Sequence, residues 1–386
     1  MKIASMSPTK VALAIVDRSF RHDTPIGEGL LQLAELAKAA NTVCVITQSE
    51  GNLRDELDAA GRGQGVKIRA CKAYTTSESG VIKRIAEAVL FMFWTFISLV
   101  RVKPKSIYVS TNPPVVVPFI VAIYCRLFGA RFVYHLQDIH PEATNIVVPL
   151  NVLVMKLLLG IDNFTLRHAK ALITLSEDMK KYILDRSHTQ SPIYLLDNPS
   201  YDIVPVPIAQ RPKDIVFCGN AGRLQRIPLL LGAIRDYLLQ GGVLRFTFAG
   251  GGVHMPDVEA LADVYDQVEY LGFIPAADAA ELVNQHRWAL LPIDDEVTKY
   301  AFPSKSSGYA LSGTGVLAVC GEKTSVARWV AAHQVGLVCA ADHDALVRCF
   351  FSLERHTYSP FLMNDDMRTR LRIPYFAQRL SDIAFT

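Results

Sequence analysis

The sequence has little that would indicate a disulfide scaffold, a metal centre or a serine hydrolase. Its 386 residues include seven cysteines, an odd number, and no two of them form a Cys-x-x-Cys pair. Several lie in apolar runs, as Cys44 does, so we expect reduced core residues of a cytosolic protein. No His-Glu-x-x-His or similar ligand spacing occurs, and we expect no dedicated metal site. The Gly-x-Ser-x-Gly elbow of α/β hydrolases is also missing.

An excess of charge of one sign is missing too. The 40 Lys and Arg residues nearly balance 37 Asp and Glu residues, for a net charge of +3. This balance gives no argument for nucleic acid as a partner, but it suits acidic ligands or an anionic membrane surface. The first apolar run, Val11–Val16, is too short for a secretory signal peptide and ends in Asp17 and Arg18. We therefore expect a cytoplasmic location.

What is present is an alternation of strands and helices that occurs twice. The first half has predicted strands at Val11–Val16, Thr42–Thr47, Lys67–Ala70, Ser106–Ser110, Phe132–Leu136 and Ala171–Leu175, with a helix predicted over Leu30–Ala40. The second half has predicted strands at Asp214–Cys218, Leu244–Ala249, Val268–Leu271, Trp288–Leu291 and Gly315–Val319. Each half opens with a strand, a glycine-containing turn and a helix, which is typical of Rossmann-like α/β domains.

The chain is longer than one hydrophobic core usually serves, so two domains are predicted. The best linker is Asp197-Asn198-Pro199, followed by the proline-containing run 204–207. We predict an N-terminal domain over residues 1–198 and a C-terminal domain over 199–365. Residues 366–386 should form a helical tail that packs back toward the N-terminal domain. Two doubly wound domains would face each other across a cleft outside the carboxyl ends of their strands.

The segment Val89–Val100 is apolar all round and carries basic residues on both sides, within 83–105. Twelve residues are too few to span a bilayer, which needs roughly 20. Two interpretations stay open. The segment is either a buried helix or an interfacial helix with its aromatic side chains in the acyl boundary and its lysines on anionic head groups.

Two stretches of the second half suit an anion. Gly219-Asn220-Ala221-Gly222-Arg223 follows a predicted strand and precedes a helix, so its glycines would let a diphosphate approach the backbone. Phe302–Gly315 contains Pro303 in a predicted first helical turn, serines at 304, 306 and 307 that can cap it, and the cation Lys305. Each stretch alone is equally well an ordinary turn or a capped helix. Their occurrence in one domain favours an anion site.

The first half offers a second candidate group. His135 ends a predicted strand, and Asp138, His140 and Glu142 follow it closely. A lone histidine in an apolar run is more often a satisfied core residue, but its place at a strand end favours a site. The turn around Gly27 is a weak phosphate signal, and the turn after Val268–Leu271 is a weak site for a planar base.

Together these motifs make the chain resemble the retaining glycosyltransferases of family 4. The resemblance covers nearly the whole chain and is nearest to the colanic acid and exopolysaccharide type. The stretches that carry it are Pro25-Ile26-Gly27, Ser110–Pro114, His135–Asp138, Thr174–Glu177, Asn198-Pro199, Gly219–Gln225, Gly272-Phe273 and Pro303-Ser304-Lys305. It implies the GT-B fold of two Rossmann-like domains and a nucleotide-diphosphate sugar, UDP- or GDP-linked, as the donor substrate, with no cofactor.

The resemblance also implies roles for residues. His135, Asp138, Arg223 and Lys305 would be catalytic, with Arg223 and Lys305 on the diphosphate and His135 near the transferred sugar. Phe273 would lie at the base. The full set of implied donor-binding residues is Gly27, Gly219, Asn220, Gly222, Arg223, Gln225, Gly250, Phe273, Ser304, Lys305, Ser306 and Ser307. Gly308 stands where the family usually has a ribose-binding glutamate, and the partner acid is sought among Asp294, Asp295 and Glu296.

The implied function is transfer of a hexose or deoxyhexose to a lipid-linked saccharide in bacterial surface polysaccharide or exopolysaccharide synthesis. The expected location is the inner face of the cytoplasmic membrane, with 83–105 on an anionic surface. Two alternatives stay open. The chain is a catalytically degenerate GT-B protein that binds nucleotide sugars or regulates, or it is a sugar-nucleotide epimerase of the same fold.

Overall fold

The computed structural model describes residues 11–39, 42–75, 79–356, 361 and 363–385. The chain divides into two compact units, each with its own parallel sheet. The first unit comprises Met1–Leu196 and Pro374–Thr386, and the second comprises Asp197–Ile373.

The first unit alternates strands and helices. Its strands are β1 (Leu13–Val16), β2 (Val43–Ser49), β3 (Lys67–Lys72), β4 (Ser106–Ser110), β5 (Arg131–His135), β6 (Ala171–Thr174) and β7 (Ile193–Leu195). Its helices are α1 (Pro25–Lys38), α2 (Leu53–Ala59), α3 (Val81–Val102), α4 (Val116–Phe128), α5 (Glu142–Val147), α6 (Val152–His168) and α7 (Glu177–Ser187).

The second unit repeats the alternation. Its strands are β8 (Lys213–Cys218), β9 (Phe246–Ala249), β10 (Val268–Tyr270), β11 (His286–Pro292), β12 (Gly315–Val319) and β13 (Gly336–Cys339). Its helices are α8 (Ile227–Leu239), α9 (Met255–Ala262), α10 (Ala276–Asn284), α11 (Lys305–Leu311), α12 (Ser325–His333), α13 (His343–Arg355) and α14 (Asp365–Arg370). Short 3-10 turns cover Ile208–Gln210 and Val297–Lys299, and the last helix is α15 (Ile373–Phe385).

All strands of the first sheet pair in parallel, in the order β3-β2-β1-β4-β5-β6-β7. The central strands are buried on both faces, which explains why β1 and β6 read as continuous apolar runs. Strand order reverses between β1 and β4. In such sheets ligands bind outside the carboxyl ends of the strands at this switch point.

The hydrophobic core of the first unit contains side chains from the early strands and helices and from the last helix, α15. Leu13, Ile15 and Leu30 lie in one buried cluster with Phe376 and Leu380 of α15. The carboxyl-terminal helix therefore belongs to the core of the first unit, because its apolar face packs there.

The second sheet is also parallel, in the order β10-β9-β8-β11-β12-β13, and its switch point lies between β8 and β11. Its core is rich in aromatic residues, with Phe217, Phe246, Phe248 and Phe350 almost fully buried. Both sheets with their flanking helices confirm the expected pair of Rossmann-like domains.

Two strands were not predicted from the sequence, β7 and β13. Both are sheet edges with mostly half-buried residues, so their composition lacks the apolar run of a central strand. The Thr42–Thr47 prediction begins one residue before β2. The predicted end of the first helix, Ala40, lies outside the described residues.

The apolar segment 89–100 belongs to a longer helix than predicted. Helix α3 has 22 residues, and its part Ile82–Val102 is long and apolar enough, by length and composition alone, to cross a membrane. The prediction that it is too short was wrong because the helix begins at Val81, inside the polar flank. Only 28% of the apolar part of this helix is buried, so the interpretation as a buried helix is also wrong.

Candidate functional site

The switch point of the second sheet is lined by two loops that contact each other. One is the glycine loop Gly219–Arg223 after β8, and the other follows β11. The backbone N–H of Asp294 donates to the carbonyl of Leu224 over 3.0 Å and ties the two loops together. The loop predicted from glycine content therefore lies where a doubly wound sheet binds its ligand.

Glycines at this edge allow the backbones of neighbouring loops to touch. A Cβ on Gly250 would lie 2.1 Å from the carbonyl oxygen of Gly219, and one on Gly252 would lie 2.6 Å from that of Ala221. Gly219 and Gly250 have φ angles of 138° and 124°, which side chains rarely adopt. Hydrogen bonds from Gly219 to Ala249 and from Ala221 to Gly251 hold the loops together. The result is a surface of bare backbone at the carboxyl ends of β8 and β9.

Lys305 is the cation of this surface. Its Nζ lies 4.0 Å from the centre of the Phe217 ring, and a Cβ on Gly219 would be 3.1 Å from it. The Nζ is buried, and no hydrogen-bond acceptor for it exists among the described residues. Burial lowers the pKa of Lys305 to about 8 from its ordinary 10.5. A buried ammonium without an acceptor is costly, so this arrangement suits an anionic ligand that supplies one.

Tyr309 fixes the helix that carries Lys305. One turn further along α11, its hydroxyl donates to the carbonyl of Cys218 over 3.0 Å and accepts the N–H of Cys218 over 3.1 Å. Both groups are buried. Helix α11 is thereby anchored to the end of β8, one residue before Gly219.

The start of α11 differs from the sequence prediction. Ser304 is the N-cap residue and its side chain makes no capping bond, so Pro303 precedes the helix instead of lying in its first turn. Ser306 Oγ instead donates to the carbonyl of Pro303 over 2.8 Å, and Ser306 and Ser307 are buried. The Ser306 side chain therefore stabilises the local turn. The exposed serine is Ser304.

The other predicted residues of the loop are placed as follows. Asn220 and Arg223 are exposed, and Gly222 is half-buried. The Oε1 atom of Gln225 would lie 2.9 Å from a Cβ on Gly222, so this side chain folds over the loop. Its Oε1 is buried and has no donor among the described residues.

The acids after β11 already have partners. Arg226 Nη2 lies 3.1 Å from Asp294 Oδ2 and 3.7 Å from Asp295 Oδ1. Asp295 also accepts the N–H of Gly321 over 2.9 Å. Glu296 pairs with Lys299 at 2.6 Å. These contacts give each of the three acids a structural role in the loop.

The turn predicted to hold a base borders the glycine surface. The carbonyl of Gly272 accepts the N–H of Gly250 over 2.7 Å, so the β9 and β10 loops are adjacent. Phe273, the next residue, is 83% exposed. Its ring face is therefore open to stacking.

Gly308 stands where the resemblance places a ribose-binding glutamate. A Cβ at this position would lie 3.1 Å from Ser200 Oγ, which is closer than an ordinary contact. The backbone of Ser200 is in turn held by the carbonyl of Leu371 over 2.9 Å. Glycine therefore fits here because the segment after Asn198-Pro199 covers this side of α11.

His135 lies in the core of the first unit. Its ring is fully buried against Tyr108 and Phe376, with ring centres 5.9 Å away in both cases. Tyr108 Oη and His135 Nδ1 are 2.7 Å apart, while Nε2 has no partner among the described residues. Burial lowers the pKa of His135 to about 3, so the imidazole is neutral.

Polar groups close the switch point of the first sheet. Asp17, just after β1, accepts from Ser110 Oγ at the end of β4 over 2.5 Å and from the N–H of Ser19 over 2.8 Å. The N–H of Arg18 donates to the carbonyl of Asn112. The loops after β1 and β4 are thus bonded to each other across the switch point.

The remaining predicted residues of the first unit lie near this edge. Burial raises the pKa of Asp138 to about 6. Gly27 is in the first turn of α1, where its N–H donates to Thr24 Oγ1 over 3.2 Å, and a Cβ would lie 1.8 Å from the carbonyl oxygen of Arg21. Close backbone packing is therefore sufficient to require glycine at position 27.

Sequence reasoning missed Tyr309 and Asp17. Tyr309 is four residues after Lys305, a spacing that places both side chains on one face of a helix. This relation could have been predicted from the sequence. Asp17 directly follows a buried strand, so its side chain lies at the carboxyl edge of the sheet, where ligands bind in such folds. The contact of Ser200 with Gly308 had no local signal because the two residues are far apart in sequence.

No protein-family model matches the sequence, and no curated protein is similar to it in sequence. Solved structures are similar in fold. Sucrose-phosphate synthase from Thermosynechococcus elongatus superposes with a TM-score of 0.71 at 15% identity, covering 97% of this chain and 98% of that one. HepE from Anabaena, solved with UDP, has a TM-score of 0.58 at 14% identity, covering 97% and 95%.

An epimerase shares the architecture. UDP-GlcNAc 2-epimerase from Methanocaldococcus jannaschii has a TM-score of 0.57 at 9% identity, covering 96% of this chain and 99% of that one. At such identities these likenesses concern the fold. Together with the two parallel sheets of seven and six strands, they confirm the GT-B fold that the motifs implied.

Proposed function

We propose that this protein is a retaining glycosyltransferase that uses a nucleotide-diphosphate sugar. The observation that carries the proposal is the buried Nζ of Lys305, which lies beside the bare backbone of Gly219 and has no acceptor among the described residues. A diphosphate supplies the missing negative charge, and its oxygens can approach the backbone closely where glycines carry no side chain. The GT-B fold of transferases and epimerases supports nucleotide sugars as the ligand class.

The donor is proposed to lie along the carboxyl edge of β8, β9 and β11. Lys305 would contact one diphosphate oxygen, and the exposed Arg223 and Ser304 would contact others. Asn220, Gln225 and the glycines at 219, 222 and 250 would border the diphosphate. Phe273 would stack on the base, since its ring is exposed next to the Gly250 loop. HepE was solved with UDP and with UDP-glucose, which supports a UDP-linked donor, with GDP as the other candidate.

The chemistry proposed for these residues is electrostatic. The bond between the sugar C1 and the diphosphate oxygen breaks, and negative charge grows on the leaving group. Lys305 and Arg223 stabilise that charge in a preorganised site, which is usually the largest contribution to catalysis. The acceptor hydroxyl bonds to C1 from the same face, and its proton passes to the departing diphosphate oxygen. Configuration at C1 is thereby retained.

His135 and Asp138 are proposed to act on the sugar. The Nε2 of His135 has no partner among the described residues, so a sugar hydroxyl would satisfy it. Because the imidazole is neutral, it would orient the sugar by hydrogen bonding and would not act as a cation. Full burial of the ring requires that its surroundings adjust when the sugar binds.

The acceptor is proposed to be a lipid-linked saccharide at the inner face of a bacterial cytoplasmic membrane, and the product a surface polysaccharide or exopolysaccharide. The support is the motif resemblance to family 4 transferases of the colanic acid type and the exposed apolar face of α3. The sugar is proposed to be a hexose or deoxyhexose on the same ground.

The proposal is tested with a panel of nucleoside diphosphates and nucleotide sugars. A ligand that binds only the folded chain raises its melting temperature, so UDP or GDP should raise it while the matching nucleoside should not. Nucleotide release from the stabilising sugar nucleotide should then require a saccharide acceptor. If no nucleoside diphosphate shifts the melting temperature, the proposal fails.

The epimerase neighbours keep one alternative open, and the same assay decides it. An epimerase would convert the sugar nucleotide without any acceptor. A degenerate binding protein would show the thermal shift but release no nucleotide with any acceptor. Arg223→Ala adds a check of the transferase, since unchanged donor affinity and turnover in that variant would contradict the assigned role.

A further inference from the structure

Helix α3 exposes a continuous apolar stripe. Ile82, Ile85, Val89 and Phe93 recur every three or four residues and are 84%, 59%, 36% and 55% exposed. This spacing places them on one side of the helix. The opposite side packs into the unit, where Phe91, Thr95 and Leu99 are fully buried.

A second apolar surface lies at the start of α6, where the sequence analysis had found no motif. Val152, Leu153 and Leu157 are 67%, 75% and 64% exposed. Helix α4 packs between α3 and α6. The three helices are crossovers in the same direction along the sheet, so they cover one face of it. Both apolar surfaces therefore belong to one helical layer.

The exposed charges of α3, α4 and α6 have one sign, whereas α7, which packs against α6, exposes Glu177 and Asp185. Between residues 79 and 170 the acids are Glu87, Asp138, Glu142 and Asp162, and none of them is exposed. Glu87 pairs with Arg18, while Glu142 and Asp162 pair with Arg186. The same segment exposes the cations Lys83, Arg84, Arg101, Lys103, Lys105, Arg126, Arg131, Lys156 and Arg167. Exposed apolar groups on helices whose own exposed charges are all cationic are complementary to an anionic bilayer.

Three other uses of the surface fit less well. A membrane-spanning α3 would have to leave α4 and expose Glu87, which is now buried and paired. A second copy of the chain would bring two cationic layers together, which costs affinity. Nucleic acid would use the cations but not the aliphatic side chains between them.

We propose that α3 and the first turns of α6 together form a docking surface for an anionic lipid bilayer. Helix α3 lies in the plane of the interface with the Ile82–Phe93 side in the acyl boundary. Helix α6 inserts Leu153 and Leu157, and the surrounding cations contact head-group phosphates. The test of this docking surface is independent of the sugar-transfer proposal, because vesicle binding is measured without donor or acceptor.

The test is co-sedimentation of the full chain with two kinds of vesicle. One is phosphatidylcholine alone, and the other contains about 30% phosphatidylglycerol, whose anionic head groups attract basic surfaces. The full chain should bind the anionic vesicles, and high salt should weaken binding because the charges are screened. Two double variants test the two helices, Ile85→Ser with Phe93→Ser on α3 and Leu153→Ser with Leu157→Ser on α6. Each should bind at least tenfold more weakly, because the substitutions remove apolar groups that would otherwise enter the acyl region.

A matched control is Leu239→Ser, which replaces a 68% exposed leucine of the second unit and should bind as the unaltered chain does. Replacing Lys103 by Gln should weaken binding about fivefold, the effect of one cation near the surface. Absence of binding to anionic vesicles would overturn the proposal. So would full binding by the α6 variant, or self-association that is lost in the α3 variant without any vesicle binding.

A second measurement needs no apolar substitution. Trp94 lies on α3, where Nε1 donates to the carbonyl of Arg69 over 3.3 Å. Vesicles with brominated acyl chains should quench its fluorescence, and a Trp94→Phe protein should lose that quenching while still binding. Trp288 and Trp329 of the second unit are buried and should contribute none. Quenching that persists in Trp94→Phe would contradict the orientation.

Discussion

The two units differ in how the switch point of each sheet is filled. In the first unit Asp17 bonds to Ser110 and the backbone of Arg18 to Asn112, so neighbouring loops satisfy each other. In the second unit glycines leave bare backbone at the edge, and Lys305 Nζ has no acceptor within the part of the chain that the structure describes. The comparison indicates that the second switch point is built for an anion, while the first is largely closed by its own residues.

The net charges of the two units would have placed the anion site in the first unit. The first unit has 24 Lys and Arg against 17 Asp and Glu, a net +7, and the second has 16 against 20, a net −4. An anionic donor is nevertheless assigned to the acidic unit, because one buried ammonium without an acceptor outweighs distant screened charges. The excess of cations in the first unit is instead spread over the surface of its helical layer.

The largest expected effect tests the glycine surface. Gly250→Ala forces a side chain into a backbone with φ of 124° and against the carbonyl of Gly219, so unfolding free energy should fall by about 3 kcal/mol. Gly251→Ala is the matched control, since a Cβ there meets nothing within 4 Å. Chemical denaturation measures both. Equal stability of the two variants would show that this edge tolerates side chains.

A smaller effect is expected at Tyr309, which holds α11 against β8. Tyr309→Phe leaves the buried N–H and C=O of Cys218 without this partner and should cost about 1–3 kcal/mol. Affinity for a nucleoside diphosphate should fall as well, because Lys305 is no longer held in place. A variant with lower stability but full affinity would show that Tyr309 does not position the lysine.

The closed edge of the first unit predicts a pH dependence. Since burial lowers the pKa of His135 to about 3, the unfolded chain takes up a proton below pH 6.5 that the folded chain does not. This makes stability fall as pH decreases from about 6.5 toward about 3. His135→Asn keeps an acceptor for Tyr108 and should flatten the slope by up to about 1.4 kcal/mol per pH unit. An unchanged slope would mean that the ring is accessible and titrates normally.

The smallest effect concerns Gly308. Gly308→Ala brings a Cβ to 3.1 Å from Ser200 Oγ and should cost about 1 kcal/mol or less, since the serine is able to shift slightly. Combining it with Ser200→Gly should restore stability. Non-additivity of the pair, measured as a double-mutant cycle, would establish the contact, and strict additivity would contradict it.

Much of this architecture was predictable because parallel α/β domains have strong periodic signals. The strands Ser106–Ser110 and Gly315–Val319 were predicted with the bounds observed. The start of α11 was not, because Ser306 bonds to Pro303 and shifts the helix to Lys305. The loops around Gly219 and Lys305 were predictable from glycine and charge. The anchoring by Tyr309 and the cover of Gly308 by Ser200 depend on contacts between distant residues, for which one sequence gives no local signal.

The central claim is that Lys305 lacks an acceptor because a diphosphate supplies it. Isothermal titration of UDP and of GDP at pH 7.5 should show affinity about 10–100-fold weaker in Lys305→Met than in the unaltered chain. Lys213→Met, at the opposite end of β8, is the control and should bind normally. Affinity of the unaltered chain should also decline above about pH 8, where free Lys305 loses its proton. Equal affinity of Lys305→Met and the unaltered chain for the nucleotide would contradict the account.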